Sequence, residues 1–219
     1  MKLTKDSKVW IPDTDFWSGW GLGYETKHWN SVVPYLSQTR TAIDVGAHVG
    51  IWSMRMGSIF DKVVSFEPVP AHIECFNENL KLFDNVSITE CAISDKNDST
   101  NMKVTDYNSG SSTLEYSIIQ KNTKHKVAKM QIETRTLDSF NLTDVDFIKM
   151  DVEGHEISAI RGAEQTIINN SPVIFIEVFD RSTKKVYTDL STTALQLLLD
   201  LGYVINEYVG SGNYICTKT

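Results

Sequence analysis

Cysteine is scarce in this chain: Cys75, Cys91 and Cys216 are the whole complement, they stand far apart, and their number is odd. Without a CxxC spacing they suit neither a disulfide framework nor a zinc site. Buried, inert thiols in a reducing compartment are expected. Long apolar runs are missing too; none approaches the roughly 20 residues that span a bilayer. Met1 to Trp10 is polar and lacks the apolar core of a signal peptide. These absences point to a cytoplasmic location and no membrane partner. Net charge is −7, with no dense block of Lys and Arg. Gripping a nucleic-acid backbone takes several clustered cations, so nucleic acid is not an expected partner. Lys121 to Lys129 is mildly basic and reads as a solvated loop. Internal repeats and low-complexity tracts are absent as well. Oligomeric state is not legible.

What is present is a rhythm. The 219 residues suffice for one α/β domain with a buried core. Residues 1–40 read as an irregular arm, or a lid over a pocket, rich in aromatics: Trp10, Phe16, Trp17, Trp20, Tyr24, Trp29 and Tyr35. From residue 41 to 219 a single domain is expected, with an insertion near 95–135. Thr41 to Val45 is a short apolar run stopping at Gly46, as a buried strand would. Gly50 to Phe60 reads as a helix, Lys62 to Glu67 as a strand closed by Pro68, and Ala71 to Leu82 as a helix. Val86 to Glu90 reads as a third strand. Alternating strand and helix imply a parallel sheet with right-handed crossovers. Residues 95–140 break the rhythm as a hairpin-like insertion, with short strands at Met102 to Thr105 and Val127 to Thr134. Val145 to Asp151 is then a strand, Glu156 to Asn169 a helix, Val173 to Val178 a strand and Thr192 to Leu201 a helix. A closing hairpin turns at Gly210-Ser-Gly212.

Three constellations carry chemistry. Asp44-Val-Gly-Ala-His-Val-Gly50 joins a strand to a helix. Gly46 permits the turn, and Gly50 is expected to let helix and ligand approach closely. Exposed N–H groups there favour a carboxylate or phosphate. With His48 between the glycines it is not the GxGxxG dinucleotide fingerprint, and a bare structural turn reads the same way. Glu67 ends the next strand, about 20 residues on, where an acid accepts ribose hydroxyls. Pro68 would then face the adenine. Asp151 ends the fourth sheet strand, at the edge where open α/β sheets bind ligands. Glu153, His155 and Glu156 follow it. Helix capping accounts for Glu156 but less well for Asp151 and Glu153, which precede the helix. Two weaker candidates face the acceptor: Glu177 at the end of its strand, and the polar loop Asn108 to Thr113 with Ser111 and Ser112, which ordinary turn chemistry also explains. Trp20 represents the arm.

These segments resemble the FkbM family of class I methyltransferases. The likeness rests on Ile43 to Gly50, Phe66-Glu-Pro-Val-Pro70 with Asn79, Ala92, Thr136-Leu-Asp138, Ile148 to Glu156, Arg161-Gly-Ala163 and Pro172 to Glu177. It covers about Thr41 to Val178. The resemblance implies a Rossmann-like fold: a seven-stranded, mostly parallel sheet with the last strand antiparallel and helices on both faces. It implies S-adenosylmethionine at Asp44, Gly46, Ala47, His48 and Gly50, with Glu67, Pro68, Ala92 and Asp151 completing the cofactor site. It also implies O-methylation of a small-molecule or sugar hydroxyl. Where this chain has His48, the family usually has Asn.

Methyl transfer is an in-line displacement, so the protein's main task is alignment, worth roughly 7–11 kcal/mol at best. His155 is the natural base for the hydroxyl proton. Asp151 and Glu153 are expected to orient that ring, bind sugar hydroxyls or hold a divalent cation, although no spacing demands a metal. The competing readings are N-methylation, a nicotinamide-dependent oxidoreductase, which the glycine pattern disfavours, and a non-catalytic binding module.

Overall fold

The computed structural model describes residues 1–6, 8–15, 21, 23–105, 112–114, 127–178 and 193–218. In chain order the strands are β1 (Lys2–Leu3), β2 (Trp10–Ile11), β3 (Thr41–Val45), β4 (Lys62–Phe66), β5 (Val86–Thr89), β6 (Ala92–Ile93), β7 (Asp98–Thr105), β8 (Val127–Arg135), β9 (Val145–Met150), β10 (Val173–Glu177), β11 (Tyr203–Gly210) and β12 (Asn213–Lys218). The helices are α1 (Thr26–Val32), α2 (Ile51–Gly57), α3 (Pro70–Asn79), α4 (Glu156–Arg161), α5 (Glu164–Asn170) and α6 (Ala194–Asp200).

The central sheet runs β11-β12-β10-β9-β3-β4-β5. Strands β10, β9, β3, β4 and β5 pair in parallel, and β12 lies antiparallel between β10 and β11. The apolar runs of the inner strands follow from burial on both faces. Ile43, Val64, Ile148 and Ile174 face α4, α5 and α6 in one core. Their neighbours Ala42, Val63, Phe147 and Phe175 face Val32, Trp52 and Met56 in the other. A period of two thus divides each strand between two helical layers. Strand order reverses at β3, which has β9 on one side and β4 on the other.

Three expectations need correction. The helix expected over Glu156 to Asn169 is two helices, broken at Gly162 and Ala163. A Cβ on Gly162 would stand 1.8 Å from the Ser94 carbonyl oxygen, so the helix ends where another segment's backbone presses on it. The first 40 residues are not irregular throughout: β1 and β2 pair as an antiparallel ribbon, and α1 follows. Val9 and Ile11 pack on Val49, Ile51 and Cys75, which recovers apolar area for so short a ribbon. Asn79 fastens that ribbon, donating to the Trp10 and Val49 carbonyls and accepting the Trp10 N–H. Finally, the 95–140 region is more than a hairpin. Strand β8 pairs antiparallel with β7 and parallel with β6, forming a separate three-stranded sheet.

Candidate active site

A cleft of about 1140 Å³, including its open mouth, lies outside the carboxyl ends of β3, β4 and β9. That is the crevice at a switch in strand order where open α/β sheets hold ligands. Its floor is the turn after β3. The Gly46 and Ala47 N–H groups both donate to the Phe66 carbonyl, so the turn is tied to β4. Gly46 and Gly50 adopt φ of +79° and +89°, which suits residues without a Cβ. The space each keeps open is already filled. A Cβ on Gly46 would meet the Asp151 carbonyl at 2.0 Å, and one on Gly50 would meet Leu80 and Phe76. Both glycines therefore serve close packing within the chain, and the expected ligand approach at Gly50 gives way to helix packing. Gly50 does not line the cleft, whereas Gly46, Ala47 and His48 do. His48 is also left-handed, with φ of +51°. His is among the non-glycine residues that adopt that region more readily than most.

Asp44 does not line the cleft either. It is fully buried, and its Oδ2 accepts the Ser53 hydroxyl from α2 at 2.6 Å. Across the sheet Asp44 stands in register with Ser65 on β4 and Lys149 on β9. A polar stripe thus crosses three strands inside an apolar layer. Lys149, only 4% exposed, lies 3.4 Å from Asp44, 3.7 Å from Asp151, and donates to the Gly46 carbonyl at 2.8 Å. Burial works against its charge, but Asp44, Asp151 and Glu25 outweigh that and raise its pKa. Sequence reading passed over Lys149. The available signal was a lone cation inside an apolar strand, which demands a partner.

Glu67 is buried and already engaged. Its Oε2 accepts the His48 N–H at 2.9 Å, and its Oε1 accepts the Val69 N–H at 3.0 Å beside His72 Nδ1 at 3.0 Å. The rings of His48 and His72 meet edge to face at 4.3 Å. Burial and the neighbouring His72 and Lys149 charges hold the His48 pKa well below its ordinary value. Pro68, Ala92, Ile93, Met102, Ser112 and Leu114 extend this end of the cleft. Thr113 donates to the Glu153 carbonyl at 2.6 Å. Ser111 and Trp20 lie outside the described residues.

Asp151, Glu153, His155 and Glu177 also line the cleft, as do Glu25 and Tyr24 from the N-terminal segment. Burial raises the Asp151 pKa, with Lys149 opposing and Glu25 and Asp44 adding to the rise. Burial, then the Asp151, Glu153 and Glu25 charges, push Glu177 up to about 10. Glu177 therefore keeps its proton at neutral pH. Glu153 and Gly154 have φ of +52° and +97°, a backbone reversal that sets His155 at the start of α4. The His155 Nε2 lies 3.0 Å from Ser94 Oγ, so Ser94, unremarked in the sequence, holds the ring on that side. Glu156 reaches back to the Gly154 N–H at 2.7 Å, the capping role expected of it. Among the described residues no cluster of three or more His, Cys, Asp or Glu side chains is disposed to hold a metal ion.

A seven-stranded sheet in this order, with β12 antiparallel and a cleft over the reversal, defines a class I methyltransferase fold. Residues 44–205 match the methyltransferase FkbM domain, and the chain belongs to that family of S-adenosylmethionine-dependent methyltransferases. Methyltransferase 1 of Beauveria bassiana (strain ARSEF 2860) is 26% identical over 145 residues, 56% of this chain. The chain spans 57% of that relative's length. The crystal structure of methyltransferase FkbM from Methylobacillus flagellatus KT superposes with a TM-score of 0.54 at 18% identity, covering 81% of this chain and 43% of that one. Precorrin-6y C5,15-methyltransferase from Geobacter metallireducens GS-15 gives 0.51 at 16% identity, covering 95% and 97%. At such identities the structural likenesses speak for the fold alone.

The cleft suits the family's cofactor. It offers a buried carboxylate, Glu67, at one end, an apolar wall of Ile93, Met102 and Leu114 beside it, and acidic side chains at the other end. Those features match a ribose, an adenine and a cationic centre. Among the described residues no helix is long and apolar enough to cross a membrane.

Proposed function

We propose that the protein methylates a hydroxyl oxygen of a small-molecule or carbohydrate acceptor. The observation behind this reading is that His155, Asp151, Glu153 and Glu177 line the same cleft as Glu67. S-adenosylmethionine, when bound, supplies a methyl group activated on a sulfonium. Gly46, Ala47, His48, Glu67, Pro68 and Ala92 would hold its nucleoside end. Asp151 and Glu153 would accept hydrogen bonds from acceptor hydroxyls, and protonated Glu177 would donate one. His155 would take the hydroxyl proton as the new oxygen–carbon bond forms. Ser94 Oγ also lies 3.3 Å from Asp95 Oδ1. If that hydroxyl donates to Asp95, its oxygen accepts the Nε2 proton and Nδ1 is left as the basic nitrogen. A cytoplasmic setting fits the three free, buried cysteines.

The test supplies the purified protein with S-adenosylmethionine labelled in the methyl group and a panel of sugars, polyols and amines. Label on oxygen of a hydroxylated acceptor is expected. Transfer to amines alone would overturn the reading.

A further inference from the structure

Glu25 lies outside every motif that marks the family in this sequence, yet its side chain lines the cleft. It sits just before α1 with φ of +54°, a conformation that costs a non-glycine residue and persists where surroundings enforce it. The surroundings are specific. Trp52 in α2 donates its ring N–H to Glu25 Oε2, and His28 Nδ1 stands 3.8 Å from Oε1. Arg55, also on α2, donates to the Tyr24 carbonyl. The helix that begins at the glycine turn therefore grips Tyr24 and Glu25 by two side chains. The Glu25 side chain is 10% exposed.

The cleft has a direction. Glu67 with Ile93, Met102 and Leu114 marks the nucleoside end, so the amino-acid end of the cofactor falls toward Tyr24, Glu25, Trp52, Lys149 and Asp151. That end carries an ammonium group, and a nearly buried ammonium needs a carboxylate partner. Asp151 already has Lys149 beside it at 3.7 Å. Burial and the Asp151, Glu153 and Glu25 charges favour the neutral form of Glu177. In Glu25 the cost of burial is outweighed by His28 and Trp52, with Lys149 adding to their effect, so the group stays ionised.

From this placement we infer that Glu25 is the cofactor-selecting residue of the N-terminal segment, pairing with the α-ammonium of the bound S-adenosylmethionine. The inference rests on the cofactor assignment and adds a residue to it. It also gives the segment before β3 a role in binding that its irregular sequence does not announce.

Calorimetry on the full chain tests it with two ligands: S-adenosylhomocysteine, and the analogue in which hydrogen replaces the α-amino group. The wild-type protein should bind the analogue roughly 10–100-fold more weakly, the range of a charge-assisted hydrogen bond. Glu25→Gln keeps an acceptor for Trp52 and should weaken S-adenosylhomocysteine by a similar factor while leaving the analogue unchanged. Equal wild-type affinity for the two ligands, a comparison that needs no variant, overturns the assignment. So does a Glu25→Gln protein that weakens both ligands alike or neither. Wild-type protein that binds neither ligand overturns the cofactor assignment itself and this one with it, a result distinct from the others.

Discussion

Lys149 donates to the carbonyl oxygen of Gly46 across the β3–β9 junction, at 2.8 Å. That bond fixes the turn proposed to carry the cofactor, and it reaches the turn from the strand whose end carries Asp151. One buried cation thus couples the floor of the cleft to its acidic wall.

Lys149→Met should be strongly destabilising, because it leaves Asp44 and Asp151 without their counter-ion. Breaking a buried pair in this way costs about 3–5 kcal/mol. Urea unfolding monitored by circular dichroism would read the loss, and S-adenosylhomocysteine affinity should fall with it. A stability within 1 kcal/mol of wild type, by the same ~1 kcal/mol standard used for exposed pairs, would show that the stripe contributes little.

Glu177 should make the fold less stable as pH rises. The folded carboxyl keeps its proton up to about 10, while its ordinary value is 4.5. Between those limits the folded state binds more protons than the unfolded one, so stability falls with increasing pH. Glu177→Gln should flatten that slope and raise the urea midpoint at pH 8 more than at pH 4, about the ends of the usable window. An unchanged slope would place the proton elsewhere.

Gly162→Ala should act at a distance. The residue has φ of −75°, so alanine meets no backbone strain there, only the Ser94 carbonyl at 1.8 Å. Overpacking of this kind costs roughly 1–3 kcal/mol. Displacing Ser94 also loosens its contact with His155. NMR of the imidazole should show the His155 ring signals shifting in Gly162→Ala and, in the same direction, in Ser94→Ala. Signals that stay put would mean that Ser94 does not hold the ring.

His155→Ala should lower kcat by roughly 10²–10⁴-fold, the usual worth of a general base, with S-adenosylhomocysteine affinity nearly unchanged. Turnover equal to wild type would remove His155 from the chemistry.

Much of the fold was legible because its determinants are local. The runs Thr41 to Val45 and Val145 to Asp151 read as strands, and both faces of each are covered over Thr41–Val45 and most of Val145–Met150. The break at Gly162 was not legible, because its cause is the carbonyl of Ser94, which lies far from it in the sequence just after β6. The strands β1 and β2 are two residues each and too short to show a period. At the site, Asp151, Glu153 and His155 announced themselves by density. Lys149 and Glu25 did not, because each is defined by partners on other elements: Asp44 for one, Trp52 for the other. Several family-like positions proved architectural. Asp138 accepts the Gln165 and Thr166 N–H groups at the start of α5, and Asn79 pins β2. A motif records what is constrained, whether the constraint comes from a ligand or from the chain itself.

The Glu67 carboxylate has a consequence for how this protein can diverge. It holds the His48 and Val69 amides as well as the position proposed for the ribose. Cofactor preference and backbone geometry are therefore one inherited trait, and a substitution that altered the first would dismantle the second. Acceptor preference is proposed to sit on separable parts, the stretch around Ser112 and the end of β10 at Glu177. New substrates are open to this scaffold by drift at those rims, while a change of methyl donor would require rebuilding the turn.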